Sequence, residues 1–196
     1  MNTTSDLIER HGLNAPSIAL LENRTVSIWG PIDDLVAKRV IEDILYLDYE
    51  NPSKPITLQI FSPGGSVAAG LAILDACRNA KSSVNTIGIG TCASMAAVLL
   101  VCAGDKGSRY VTEHADLMLH QPRSSMSGDA TSIETTAKKI LRTKDVLEGL
   151  IANASGMTRE EARRLCDRDT WLEPEEAITL GLIDHIVGKK RKQEPP

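Results

Sequence analysis

Short runs of β-branched and aliphatic residues, each followed by a stretch of helical periodicity, recur along most of this chain, and that alternation restricts the fold more than any other feature. Residues 25–29 read as a first strand, and 34–46 as a helix in which Val36, Val40, Ile44 and Leu47 return at helical spacing. Residues 56–61 form the next strand, ending in Ser62-Pro63-Gly64-Gly65, and a helix follows with Val67, Leu71 and Leu74 on one side. A third strand spans 84–89. Gly90-Thr91-Cys92-Ala93 then delivers Ser94 to the start of a wholly apolar helix, Met95–Ala103. The pattern repeats more loosely: a short strand at 117–119 ends at His120, and a long helix at about 130–153 is expected to turn Ile133, Ala137, Ile140, Leu147 and Ile151 inward. Thr158 and Glu161 have the spacing of a capping box for a short helix. Another helix at 174–180 is stopped by Gly181, and a strand at 182–187 closes the pattern. Strands joined by helical crossovers define an α/β chain with a parallel sheet.

With 196 residues of which 42% are hydrophobic, one core can form without disulfides or metals. Aromatic residues make up only 3%, and Phe61 is the sole phenylalanine, so aliphatic side chains and alanine must do the packing. A formal net charge of -4 gives no footprint for a polyphosphate backbone, and nucleic acid is not an expected partner. Cys77, Cys92, Cys102 and Cys166 contain no C-x-x-C pair and sit mostly in apolar stretches, which suits reduced thiols. The apolar run at 95–103 is too short to span a bilayer, and residues 1–12 carry no hydrophobic signal core, so the expected location is cytoplasmic and no membrane is involved. Residues 1–23 and 188–196 read as peripheral, the latter a basic, Pro-ending tail, and 24–187 as the folded domain.

Ser94 stands where a strand hands over to a helix. The first-turn amides there are unpaired and the helix dipole is positive, so the Met95 amide lies beside the hydroxyl as an oxyanion donor. Serine is also a favoured N-cap, which is the bland account of the same residue. The glycines after Pro63 permit a close backbone approach that can aim a second amide at the same oxygen. His120 is placed at a strand end, unlike His114 and His185. Asp169, in Asp167-Arg168-Asp169, is available to orient an imidazole. A competing reading is dinucleotide binding, since Gly88-Ile89-Gly90-Thr91-Cys92-Ala93 fits G-x-G-x-x-A after a strand, with Glu113 as the ribose acid. An acyl-CoA enzyme would share the oxyanion turns but leave the ordered Ser, His and Asp unexplained.

Four segments taken together, Ser62-Pro-Gly-Gly-Ser, Ala93-Ser-Met-Ala-Ala, Leu119-His-Gln-Pro and Asp167-Arg-Asp, resemble in order and separation the proteolytic subunit of the Clp protease. The resemblance covers residues 29–187. It implies Ser94 as nucleophile, His120 as base and Asp169 as acid, with oxyanion amides from Gly65 and Met95. It further implies a crotonase-like spiral of βαβ units, a long helix in the contact between two stacked heptameric rings, and a pore-lining role for the N-terminal segment. Asp167 and Arg168 would couple ring contacts to the site, and residues 123–129 would border a bound peptide. Unfolded polypeptides would be the substrate, a hexameric ATPase unfoldase the partner, and no cofactor would be needed because ATP belongs to that partner.

The chain departs from the family where the unfoldase's loops should dock. Thr57, Gln59 and Asn79 stand where aromatic or bulky apolar residues are usual, and Tyr110 alone keeps a ring. Residues 6–21 lack the usual axial-loop pattern, and one extra residue falls between Ser94 and His120, within 98–104. These departures lead to the expectation of a divergent subunit, catalytic or not, working beside a second subunit of the same family in a mixed complex.

Overall fold

A computed structural model describes residues 15–125 and 127–188. Its described residues form an α/β unit of seven strands and seven helices. In chain order these are α1 (Ala15–Glu22), β1 (Thr25–Trp29), α2 (Asp34–Glu50), β2 (Ile56–Ser62), α3 (Val67–Asn79), β3 (Val84–Ala93), α4 (Met95–Ala103), β4 (Arg109–Thr112), β5 (Asp116–Leu119), α5 (Ala130–Ser155), α6 (Arg159–Cys166), β6 (Thr170–Leu172), α7 (Pro174–Thr179) and β7 (His185–Val187). The strands run β1-β2-β3-β4-β7, all parallel, while β5 leaves this path by pairing with β3 and with β6.

Local chemistry accounts for the helices. The Asp33 carboxylate accepts from the Val36 amide at 2.8 Å and starts α2, whose Ala37, Val40, Ile44 and Leu47 are buried at helical spacing. The inward set therefore holds Ala37 where the sequence pointed to Val36, which is only half-buried. Thr158 and Glu161 form the anticipated reciprocal capping box on α6. Helix α4 is apolar on every side, and all nine of its residues are buried, as an all-round hydrophobic helix requires. It packs on β3 between α3 and α5 and forms the centre of the core.

Strand β3 decides the shape of the active end. Its first half, Thr86 to Gly88, pairs with β4, and its last residues, Thr91 to Ala93, pair with β5 instead. The change of neighbour occurs around Gly90, whose φ of +57 bends the strand, and a Cβ there would meet the Phe61 ring at 2.7 Å. This corrects the expected strand end at residue 89, since residues 90–93 belong to the strand, and it counts against the competing dinucleotide reading, because Gly88 and Gly90 act as bend and packing positions and not as a loop at a helix start.

Three further differences have physical causes. Helix α1 forms within the segment read as peripheral and buries Ile18, while residues 1–14 and 189–196 of the two expected tails lie outside the described residues. The closing strand is confined to His185–Val187, because Leu182 and Ile183 enter the core from a turn after α7. Helix α5 buries only Leu147, Glu148, Gly149, Ile151 and Ala152. Its first half projects past the core, so Ile133 is 40% exposed, and Ala137 and Ile140 are half-covered rather than inward.

Candidate active site

Strand register brings three distant segments to one corner. Ala93 pairs with Met118 in the parallel β3–β5 ladder, and the Ser94 amide donates to the Met118 carbonyl at 2.7 Å, which sets Ser94 beside the end of β5. In the antiparallel β5–β6 ladder Leu119 pairs with Thr170, so one step further His120 faces Asp169. Neither β4 nor β6 was visible in the sequence, and it is β6 that carries the carboxylate to the imidazole.

Ser94 has φ 56 and ψ -124, a conformation a non-glycine residue rarely holds. It occupies the N-cap position of α4, yet its side chain makes no capping hydrogen bond. The hydroxyl lies instead 2.8 Å from His120 Nε2. A cap would spend its oxygen on the amides of α4, whereas this one is held out of the turn and against an imidazole.

Gly64 and Gly65 shape the opposing wall. Gly64, at φ +91, backs so closely on the elbow that a Cβ would lie 2.6 Å from the Ala93 carbonyl oxygen and 2.7 Å from Ser94 Cβ. Gly65 is bridged to Ile32, where an added Cβ would come within 2.2 Å of the Ile32 carbonyl oxygen. The Ile32 amide donates to Gly64 O at 2.9 Å and the Ser66 amide to Ile32 O at 2.8 Å, fixing the turn. Neither the Gly65 nor the Met95 amide donates in the turn and cap hydrogen bonds of the described residues. Gly64 lies in a motif the sequence reading quoted, but its contact with the serine depends on tertiary approach.

The acid side is arranged differently. An imidazole that accepts the Ser94 proton at Nε2 carries its own proton on Nδ1. Asp169 Oδ1 lies 3.3 Å from Nδ1, within ion-pair distance, yet Nδ1 is buried and has no hydrogen-bond partner, because the carboxylate is off the N–H direction. The same Oδ1 accepts a hydrogen bond from Arg123 Nη2. Asp169 is 44% exposed and the His120 side chain 12%. Gln121 ties the base to the acid loop by donating to the Asp167 carbonyl at 2.9 Å, and Lys144 of α5 donates to Gln121 Oε1 at 3.1 Å. Arg168 and Asp167 form only a loose, solvent-facing pair at 3.6 Å. A cleft of about 530 Å³ opens beside His120 and Asp169, with Arg123 and Ile140 in its walls.

Other nucleophiles are disfavoured. Burial pushes the thiols of Cys77, Cys92 and Cys102 up to about 12 and that of Cys166 to about 11, so all four stay protonated inside the core. No group of metal-ligating side chains is found among the described residues, and no helix there is long and apolar enough to cross a membrane. In a comparison with protein-family models, the model described as Clp protease matches residues 11–190.

Proposed function

The chain belongs to the Clp protease family, and on that premise we propose that it is a serine endopeptidase subunit of a self-compartmentalised, ATP-dependent protease that cuts unfolded polypeptides into small peptides. The observation that carries this reading is the Ser94 hydroxyl, which leaves its helix uncapped and meets His120 Nε2 at 2.8 Å. In the proposed reaction His120 Nε2 takes the Ser94 proton while Oγ bonds to the peptide carbonyl carbon. The Gly65 and Met95 amides donate to the oxygen as it becomes negative, and Asp169 orients and stabilises the protonated imidazole. His120 then gives its proton to the leaving nitrogen as the C–N bond breaks. A water, deprotonated by the same imidazole, attacks the acyl-serine and releases the new carboxyl terminus. Loss of one oxyanion donor should lower turnover by about 10²–10³.

Family membership carries ring assembly with Clp ATPases in general. We read two stacked heptameric rings, a hexameric unfoldase as the consumer of ATP, and a cytoplasmic setting as the specific form. The free half of α5, with Ile133 and Leu141 exposed, supports a ring-to-ring contact. The unpaired Nδ1 of His120 favours a second reading, a subunit weakly active alone and completed within a mixed ring. Purified rings are expected to cleave a short fluorogenic peptide without ATP, and Ser94→Ala rings are not. Cleavage that survives Ser94→Ala overturns the assignment.

A further inference from the structure

We propose that Arg123 is a positioning residue that restrains this site by holding the Asp169 carboxylate out of line with the Nδ1–H of His120. The inference rests on the peptidase reading above and adds to it a residue with no role in the acyl transfer itself.

Asp169 presents Oδ1 both to His120 Nδ1, at 3.3 Å, and to the Arg123 guanidinium, but only the guanidinium is aligned to donate. A guanidinium on Oδ2 would leave both acceptor sites of Oδ1 to the imidazole, whereas one on Oδ1 fixes the direction in which that oxygen faces. Here it occupies the oxygen the imidazole needs, and the cost appears as a buried Nδ1 with no partner. Charge works in the same direction. Asp169 promotes proton transfer by stabilising a positive imidazole, and an arginine on the same carboxylate offsets that field. Arg123 follows the His120-Gln121-Pro122 segment in a wall of the cleft and is itself 68% exposed, so it can swing aside without disturbing the core.

The size of the effect is bounded. Exposed pairs of this kind are worth little, which limits the restraint to about a two- to five-fold loss of rate. A device of this size tunes a site; it does not silence one.

The test measures acylation of Ser94 by a fluorophosphonate, and kcat and KM for an uncharged peptide, on rings whose assembly is verified by size-exclusion chromatography. Arg123→Gln should raise the acylation rate and kcat about two- to five-fold with KM unchanged, and Arg123→Lys, which keeps the charge, should return both towards the parent values. In an Asp169→Asn background the gain from Arg123→Gln should vanish, since the restraint acts only through that carboxylate. An unchanged or slower rate in Arg123→Gln, with the parent still labelled, overturns the restraint and leaves the peptidase reading intact. A gain that persists without the Asp169 charge overturns it as well. If neither parent nor variant is labelled, the peptidase reading fails and the restraint with it.

Discussion

Replacing Gly64 by alanine tests whether the elbow geometry of Ser94 is what makes it reactive. The new methyl would stand 2.7 Å from Ser94 Cβ and 2.6 Å from the Ala93 carbonyl oxygen, where ordinary contact needs 3.4–4 Å. About 0.7 Å must therefore be found by moving the serine, because the other partner is backbone in the middle of a sheet. A displacement near 1 Å in a reacting group costs on the order of 10²-fold in rate. Alanine at a φ of +91 adds roughly 1–2 kcal/mol of backbone strain, which alone would lower stability without touching the chemistry. Gly156→Ala supplies the control: its φ is +85, it lies at the end of α5 away from Ser94, and a Cβ there meets nothing within 4 Å. The assay is the second-order rate of fluorophosphonate acylation on assembled rings, read beside thermal unfolding. Gly64→Ala should lose about 30- to 100-fold in acylation, while Gly156→Ala should lose stability alone. Equal acylation rates in the two variants would refute the reasoning, since strain without displacement would then explain both.

Other expectations follow from the same geometry. Asp169→Asn should slow peptide hydrolysis by only about two- to five-fold less than the ~10⁴ lost when a well-aligned triad acid is neutralised, because Nδ1 is off line with this carboxylate; steady-state kinetics on the variant checks it. Burial acts to raise the carboxyl of Asp184, but the Arg109 guanidinium and the Arg109 and Gly107 amides outweigh it and hold the group below the usual range. Its stabilisation is thus present above the ordinary carboxylate pKa and lost as pH falls through the lowered one, so Asp184→Asn should flatten the acid limb of a stability-against-pH curve. Arg109, only 2% exposed, donates to Asp184 and to the Ala154 carbonyl, and Arg109→Met, which leaves the half-buried carboxylate only its two amide donors, should cost about 1.5–3 kcal/mol in urea unfolding. Leu141, 66% exposed on the free half of α5, should matter little to the subunit's own stability, but Leu141→Asp should halve the assembly to single rings in light scattering.

Much of the fold was legible because burial leaves a period in the sequence. Val40, Ile44 and Leu47 mark the inner face of α2, and the unbroken apolar run of α4 marks a helix with no outer face. The two strands that escaped notice, Arg109–Thr112 and Thr170–Leu172, are four and three residues long, too short for alternation to rise above chance. Helix α5 illustrates a different limit. Its periodicity correctly reports an apolar stripe, but a stripe does not say whether its cover comes from the same chain, and for Ile133 it does not. At the site, local setting made Ser94, His120 and Asp169 candidates, and it was the ordered combination of four motifs resembling a known family that set them apart. Their juxtaposition depends on the switch of β3 from β4 to β5 and on the antiparallel step to β6, both long-range pairings. The Arg123 contact spans 46 residues and joins two exposed loops, so no local pattern announces it.

The central claim is that Ser94 is an activated nucleophile, and its most direct test is fluorophosphonate labelling of assembled rings followed by mass mapping of the modified peptide. The account predicts a single adduct on Ser94, absent in Ser94→Ala and strongly slowed in His120→Ala. Rings that assemble fully yet carry no adduct on Ser94, or carry it equally well without His120, would contradict it.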